Sequence, residues 1–161
     1  YPGVWRHGDW IEITPQGGSV IYGRSDATIN RKGLRMGSAE IYQAVEGLDE
    51  VQDSLVVDLE FLGRSSFMPL FVVLGAGQTL DAGLKAKIND AISTHVSARF
   101  IPNEIVQIDS VPRTLSGKKL EVPVKKLLLG GDPLLVVNRD SMANPDSFDR
   151  FMTYAAQRDA N

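Results

Sequence analysis

The run Phe67-Met68-Pro69-Leu70-Phe71-Val72-Val73-Leu74, then Asp81 to Phe100, then Glu104-Ile105-Val106-Gln107-Ile108-Asp109, decides the fold class. The first piece has the length and the continuous apolar stretch, Leu70 to Leu74, of a buried strand, with Pro69 near its start or on an edge. In the second, Leu84, Ile88, Ile92 and Val96 recur at four-residue spacing with Lys85, Lys87, Asn89 and Asp90 between them. That pattern predicts the longest helix of the chain, stopped by Pro102. The third piece is another short β run. Strand, helix and strand in this order predict a compact α+β module, a small mixed sheet with packed helices.

Upstream, Ile11-Glu12-Ile13-Thr14 and Ser19-Val20-Ile21-Tyr22-Gly23 flank Pro15-Gln16-Gly17-Gly18, which predicts a β-hairpin around a glycine-rich turn. Gly23 to Gly37 is rich in Gly, Arg, Asp and Asn and reads as a loop or short irregular ribbon. Ser38 is the expected N-cap of a helix whose Ile41, Val45 and Leu48 share a face, with Glu40 in the first turn and Gly47 weakening the end. Val51 to Phe61 reads as a strand around Leu55-Val56-Val57. Downstream, a loop from Ser110 to Lys118 leads to a helix from about Glu121 to Leu129, with Pro123 in its first turn and Gly130-Gly131 ending it. The tail reads as a separate extension. In it, Leu134 to Val137 is a short apolar run and Asn144-Pro145-Asp146 opens an amphipathic helix with Phe148, Phe151, Met152 and Ala155 on one side. These are expected to pack on the body of the protein in preference to a partner.

With 161 residues, 43% hydrophobic and 23% charged, the chain has the composition of one globular domain with appendages. It has no cysteine, hence no disulfide, thiolate metal site or cysteine nucleophile, which suits a reducing, cytoplasmic setting. No run of about 18 apolar residues predicts a membrane span. The first residue is Tyr1 and Tyr1 to Asp9 lacks the pattern of a signal peptide, so the chain is expected to be cut from a longer one. The net charge is -3, but two segments are basic: Arg24, Arg31, Lys32 and Arg35 face only Asp26, and Arg113, Lys118, Lys119, Lys125 and Lys126 face only Glu121. Two basic, glycine-containing segments in an acidic chain suggest local anion sites and no nucleic-acid surface, which would want a basic domain with interleaved aromatics. Solvated lysines on a helix face remain the plainer reading.

His7 and His95 are the only histidines, without the neighbours of a metal site, so no metal is expected within the chain. Gly-x-Ser-x-Gly is absent, which argues against a serine hydrolase. Pro112-Arg113-Thr114-Leu115-Ser116-Gly117-Lys118-Lys119 places Gly-Lys between a strand and a helix, yet lacks the earlier Gly and the following Ser or Thr of a phosphate-binding P-loop. It presents a long cation from a Ser-Gly loop, with the reach to touch a carboxylate or phosphate held on another surface. An exposed structural lysine is the alternative.

Gly23-Arg24-Ser25-Asp26-Ala27-Thr28-Ile29-Asn30-Arg31-Lys32-Gly33-Leu34-Arg35-Met36-Gly37-Ser38-Ala39-Glu40-Ile41 closely resembles the signature around the domain hinge of the adenylate-forming acyl-CoA synthetases. Pro112 to Lys118 resembles the carboxy-terminal lysine motif of that superfamily, and Gly8-Asp9-Trp10 resembles the Gly-Asp before its hinge. The three motifs stand in the family's order and cover about Gly8 to Leu129. Leu115 to Lys126 and the tail with Asn144-Pro145-Asp146-Ser147-Phe148 are most similar to the acetoacetate-activating branch.

The resemblance implies a two-step ligase reaction: ATP and a carboxylate, acetoacetate or another short acid, give an acyl-adenylate and pyrophosphate, and CoA then displaces AMP. It implies that Lys118 is catalytic, bridging the substrate carboxylate and the α-phosphate. Asp9, Arg24 and Arg35 would bind nucleotide, Asp26 would be the hinge, and Gly33 with Lys32 would face CoA. Taken singly, Asp9 could cap a turn, Arg24 and Arg35 could form surface ion pairs worth roughly 0–1 kcal/mol, and Gly33 could serve a turn of positive φ. The position that carries a basic residue for the CoA 3′-phosphate in some relatives falls near Ser93, leaving Arg99 and Lys32 as substitutes.

By the same resemblance, residues 1–25 would end a large AMP-binding domain and approach the hinge, 26–130 would form a mobile carboxy-terminal lid domain, and 131–161 an extension. The partner of this lid would be its own amino-terminal AMP-binding domain, which carries the acyl pocket, most of the ATP site and the expected Mg2+. The fragment alone is then expected to be inactive. A protein acetyltransferase and deacetylase acting on Lys118 would be further partners. The competing class is a stand-alone nucleotide- or CoA-binding or partner-interaction module without catalysis.

Overall fold

The computed structural model describes residues 3, 8–24, 28–31, 33–61 and 64–159, the side chains of 9, 10, 21–24, 61, 64 and 159 excepted. A hairpin of β1 (Asp9–Ile13) and β2 (Ser19–Arg24) comes first. Thr14 ties its turn, with the Gly18 amide donating to Thr14 Oγ1 at 3.0 Å. The segment after it forms a two-stranded antiparallel ribbon, β3 (Ile29–Arg31) and β4 (Leu34–Met36), as the glycine-rich reading allowed.

The main sheet has the order β5-β8-β9, built from β5 (Val51–Val56), β8 (Pro69–Leu74) and β9 (Glu104–Gln107). Between β5 and β8 lies a small hairpin, β6 (Leu59–Phe61) with β7 (Arg64–Phe67). Strand β8 runs antiparallel to β5 and parallel to β9, the parallel step being made by the crossover helix α2 (Ala82–Ile92). Helices α1 (Ser38–Val45), α3 (Glu121–Leu128), α4 (Pro133–Val136) and α5 (Ser147–Asp159) complete the fold.

The pleat of β8 sends Leu70 and Val72 to one face and Phe71 to the other. Leu70 and Val72 meet Ile41 and Val45 of α1 and Leu84, Ile88 and Ile92 of α2 in one apolar core. Phe71 joins Val124 and Leu127 of α3 and Phe148 and Phe151 of α5 in the second. A central strand covered on both faces reads as an unbroken apolar run, which is why Leu70 to Leu74 carried the prediction. The α+β class expected from the sequence is the class observed.

Three local expectations change. The strand predicted over Val51 to Phe61 breaks at Val57-Asp58: the Val57 amide donates to Pro69 O at 3.4 Å, and Pro69, with no N–H, cannot continue the ladder. Pro69 is accordingly the first residue of β8. The predicted helix over Asp81 to Phe100 is α-helical only to Ile92; Ser93–Ser97 widens into a π turn and Ala98–Phe100 tightens to a 3-10 turn. Serine and threonine in this stretch favour the backbone less strongly as helix, and Ser97, in extended conformation, accepts from the Arg99 amide instead. Asp81 caps α2 by accepting from Leu84 N at 2.7 Å. Ser38 is not the N-cap of α1. Gly37 holds that position, and Ser38 is the first helical residue.

The tail is less separate than its composition suggests. Phe148 and Phe151 are fully buried, and Phe71 meets Phe151 at a ring distance of 4.7 Å and Tyr154 edge-on at 5.1 Å. Met152, predicted with them, faces outward, and Tyr154 takes its place in the core. Leu134 and Leu135 of the short apolar run stay 87% and 84% exposed. Among the described residues no helix is long and apolar enough to cross a membrane.

Candidate functional site

Lys118 sits on an exposed loop whose base is tied by hydrogen bonds. The loop closes on itself: Thr114 N donates to Lys118 O at 2.9 Å, Gly117 N to Thr114 O at 2.8 Å, and Lys118 N to Thr114 Oγ1 at 3.0 Å. Gly117 turns the chain at φ +84°, a region where a side chain is strained. Arg113 and Lys119 bridge the two ends of this loop as an antiparallel pair. Asn144 of the tail holds it from behind, accepting from Arg113 N at 2.9 Å and donating to Val111 O at 2.9 Å, while Leu115 N donates to Ser141 O at 3.1 Å.

The two adjacent lysines have opposite surroundings. Lys118 is exposed. Lys119 is turned inward with its side chain 16% exposed, and its ammonium reaches Glu46 Oε1 at 2.5 Å, Ser54 O at 2.7 Å and Asp53 Oδ1 at 2.9 Å. Three acceptors match its three protons. The same ammonium stands 3.8 Å from the ring centre of Tyr42. Asp53 also accepts from Arg113 Nη2 at 2.6 Å. Burial acts to raise the Asp53 carboxyl, but the hydrogen bonds and charges of Arg113 and Lys119 outweigh it and hold the group below its usual value.

Behind this loop, Glu121 at the start of α3 accepts from Ser38 Oγ at 2.6 Å and from the Tyr42 hydroxyl. Tyr42 is pushed well above its ordinary value, first by burial and then by the Glu121 charge. This contact explains Ser38: its hydroxyl bonds to α3 instead of capping its own helix. It also joins the end of the β3–β4 ribbon to the end of the lysine loop.

On the ribbon, Gly33 has φ +81° in the turn between Arg31 and Leu34, and a Cβ there would meet nothing within 4 Å. The turn alone accounts for the glycine. Arg35 lies exposed on β4 opposite Asn30. The ribbon is tied down by Ile29 and Met36 in the core, by Arg31 Nη1 donating to Ile101 O at 2.9 Å, and by Asn30 N donating to Asp58 Oδ2 at 3.0 Å. Asp58 is buried and its Oδ1 has no hydrogen-bond partner among the described residues. Burial raises its carboxyl above the usual range, ahead of the lowering by Asn30 and Ser66.

Asp9 and Arg24 are register partners across β1 and β2, so the hairpin brings their backbones side by side. Asp26 and Lys32 lie outside the described residues. Ser93 is exposed at the start of the π turn and Arg99 is exposed in the 3-10 turn beyond it. Among the described residues no group of three or more His, Asp or Glu side chains is placed to hold a metal. Sequence reasoning counted Lys119 as one more basic residue and did not single out Asp53, Glu46, Tyr42 or Glu121. Their partners lie 60 to 83 residues away and left no local signal.

No protein-family model matches the chain. It is 43% identical over 152 residues to acetoacetyl-CoA synthetase of Rattus norvegicus, a match covering 94% of this chain and 22% of that protein. It is 40% identical over 151 residues to acetoacetyl-coenzyme A synthetase of Rhizobium meliloti (strain 1021), covering 94% and 23%. Among solved structures, acetoacetyl-CoA synthetase from Streptomyces lividans superposes with a TM-score of 0.85 at 46% identity, over 98% of this chain and 23% of that one. The chain thus spans less than a quarter of the length of these relatives. It belongs to the adenylate-forming acyl-CoA synthetase family, and corresponds to the carboxy-terminal part of the acetoacetyl-CoA synthetases.

Proposed function

We propose that this chain is the moving carboxy-terminal part of an enzyme that activates acetoacetate, or another short carboxylate, with ATP and passes the acyl group to CoA. The observation that carries the reading is the exposed Lys118 on a loop pinned at both ends, in a chain so similar to acetoacetyl-CoA synthetases. In the first step a carboxylate oxygen attacks the α-phosphorus of ATP and pyrophosphate leaves. Lys118 bridges the two anions, offsetting their repulsion as they approach. In the second the thiol sulfur of CoA attacks the acyl carbon and the bond to AMP breaks.

Residues 1–25 close the large AMP-binding domain, 26–130 form the lid and 131–161 its extension, with Asp26 as the hinge. Asp9, Arg24 and Arg35 serve the nucleotide, a carboxylate for ribose hydroxyls and planar cations for phosphate oxygens. Gly33 and Lys32 face CoA. The acyl pocket and Mg2+ belong to the large domain, so the chain alone is inactive, and the enzyme works in the cytoplasm. The exposure of Lys118 also suits an acetyltransferase and deacetylase, and acetylation removes the charge that adenylation needs.

Carboxylate-dependent ATP–pyrophosphate exchange on the full-length protein, across acetoacetate, acetate, propionate and butyrate, tests the reading. Exchange strongest with acetoacetate and lowered at least about 100-fold by Lys118→Ala is expected. Preference for another acid discards acetoacetate and keeps the chemistry; undiminished exchange in the variant discards the lysine's role.

A further inference from the structure

Two carboxylates, Asp53 in β5 and Asp58 in the break just after it, each hold a different surface. Asp53 takes both flanks of the lysine loop: Arg113 Nη2 at 2.6 Å on Oδ2 and Lys119 Nζ at 2.9 Å on Oδ1. These two residues are the bridge pair from which the loop 114–118 hangs, so a single carboxylate fixes the loop's base to the sheet.

Asp58 takes the ribbon. A pair of three-residue strands is marginal in isolation, and alternate amides of a two-stranded ribbon point away from its partner strand. The Asn30 amide is such a donor, and Asp58 Oδ2 accepts it at 3.0 Å. Asp58 is only 2% exposed, and a buried carboxylate is costly where an apolar contact would anchor a ribbon equally well. What it gains in return is a fixed direction for the Asn30 amide and so for the ribbon.

We propose that Asp53 and Asp58 are positioning residues for separate halves of the reaction: Asp53 aims the Lys118 loop for adenylation, and Asp58 fixes the β3–β4 ribbon for thioester formation. The assignment rests on the functional reading above, in which Lys118 acts in the first step and Gly33 and Lys32, at the ribbon's turn, face CoA in the second. It adds that both supports lie close along the chain, Asp53 in β5 and Asp58 just past its end, so that the two surfaces keep a fixed relation while the domain turns from one step to the other.

The test measures each half-reaction on the full-length enzyme: ATP–pyrophosphate exchange, and thioester formation from preformed acyl-adenylate and CoA. Asp53→Asn is expected to lower exchange about 10- to 100-fold and to change thioester formation by less than about threefold, and Asp58→Ala, which removes the acceptor of the Asn30 amide, to do the reverse. Where either variant fails to fold, Arg113→Gln replaces the first and Arg31→Gln, which releases the same ribbon from Ile101, replaces the second. Equal losses in both half-reactions, or none, overturn the assignment. Lys118→Ala, run alongside, separates the failures: if it abolishes exchange while the Asp variants show no split, the positioning roles fall and the functional reading stands. If exchange survives in Lys118→Ala, both fall.

Discussion

The ammonium of Lys119 stands over the ring of Tyr42 at 3.8 Å and spends its three protons on Glu46, Asp53 and Ser54. Its neighbour Lys118 is exposed. The two lysines are expected to fail differently. Lys119→Ala leaves Glu46 without its cation and Asp53 with Arg113 alone, and should cost about 1–3 kcal/mol, less than breaking a fully buried pair because Glu46 and Asp53 keep some solvent. Lys118→Ala should stay within about 0.5 kcal/mol of wild type in a thermal melt while losing adenylation. Equal melting temperatures for the two variants would contradict the arrangement.

Asp53 gives the protein an acid-sensitive contact. Its carboxyl lies below the usual range, so its contribution is present above the unfolded value and is lost as pH falls through the lower folded value. Wild type should melt above Asp53→Asn at pH 6 to 7, and the gap should close as pH drops below about 4. A gap independent of pH would mean that the Arg113 and Lys119 contacts do not depend on the charge of Asp53.

Asp58 has the opposite sign. Its folded value is raised, so the stability linked to it is present below the unfolded value and is lost as pH rises through the folded one. Melting temperatures of wild type relative to Asp58→Asn should therefore fall as pH is raised from about 4 towards neutrality. A difference that instead grows in favour of wild type would place Asp58 among the stabilising carboxylates.

How much of this was written in the sequence depends on the range of the interaction. The apolar run Leu70 to Leu74 and the four-residue spacing of Leu84, Ile88 and Ile92 are local patterns, and both became the elements they predict. The turn glycines and the exposed Lys118 were legible for the same reason. Ser38 was misread because the competing acceptor, Glu121, lies 83 residues away and no local rule ranks a distant carboxylate against a helix amide. The break at Asp58 and the split of labour between Lys118 and Lys119 have the same origin, since each depends on which strand lies alongside.

The tail should be part of the folding unit. Phe151 is fully buried among Phe71, Phe148 and the α3 side chains, with Phe71 at 4.7 Å and Phe148 at 6.4 Å between ring centres. Phe151→Ala is expected to cost about 3–5 kcal/mol, whereas Met152→Ala on the same helix, facing outward, should cost under about 1 kcal/mol. Urea unfolding followed by near-ultraviolet circular dichroism distinguishes them, and similar midpoints would mean that α5 is only loosely attached.

Gly117 links loop shape to chemistry. It holds φ +84° with open space where a Cβ would go, so Gly117→Ala meets no steric obstacle but adopts a left-handed conformation costing about 1–2 kcal/mol. The loop can relieve that strain by opening the bonds from Gly117 N to Thr114 O and from Lys118 N to Thr114 Oγ1, and the second of these sets the direction in which Lys118 leaves the loop. The fold, held through Arg113, Lys119 and Asp53, should persist, with a melting temperature only a few degrees lower. Pyrophosphate exchange should nonetheless fall by about tenfold or more, because a charge displaced by about 1 Å no longer bridges two anions. If exchange is unchanged while the strain registers in the melt, the lysine's long side chain compensates for the loop and backbone aim is not what sets its reach.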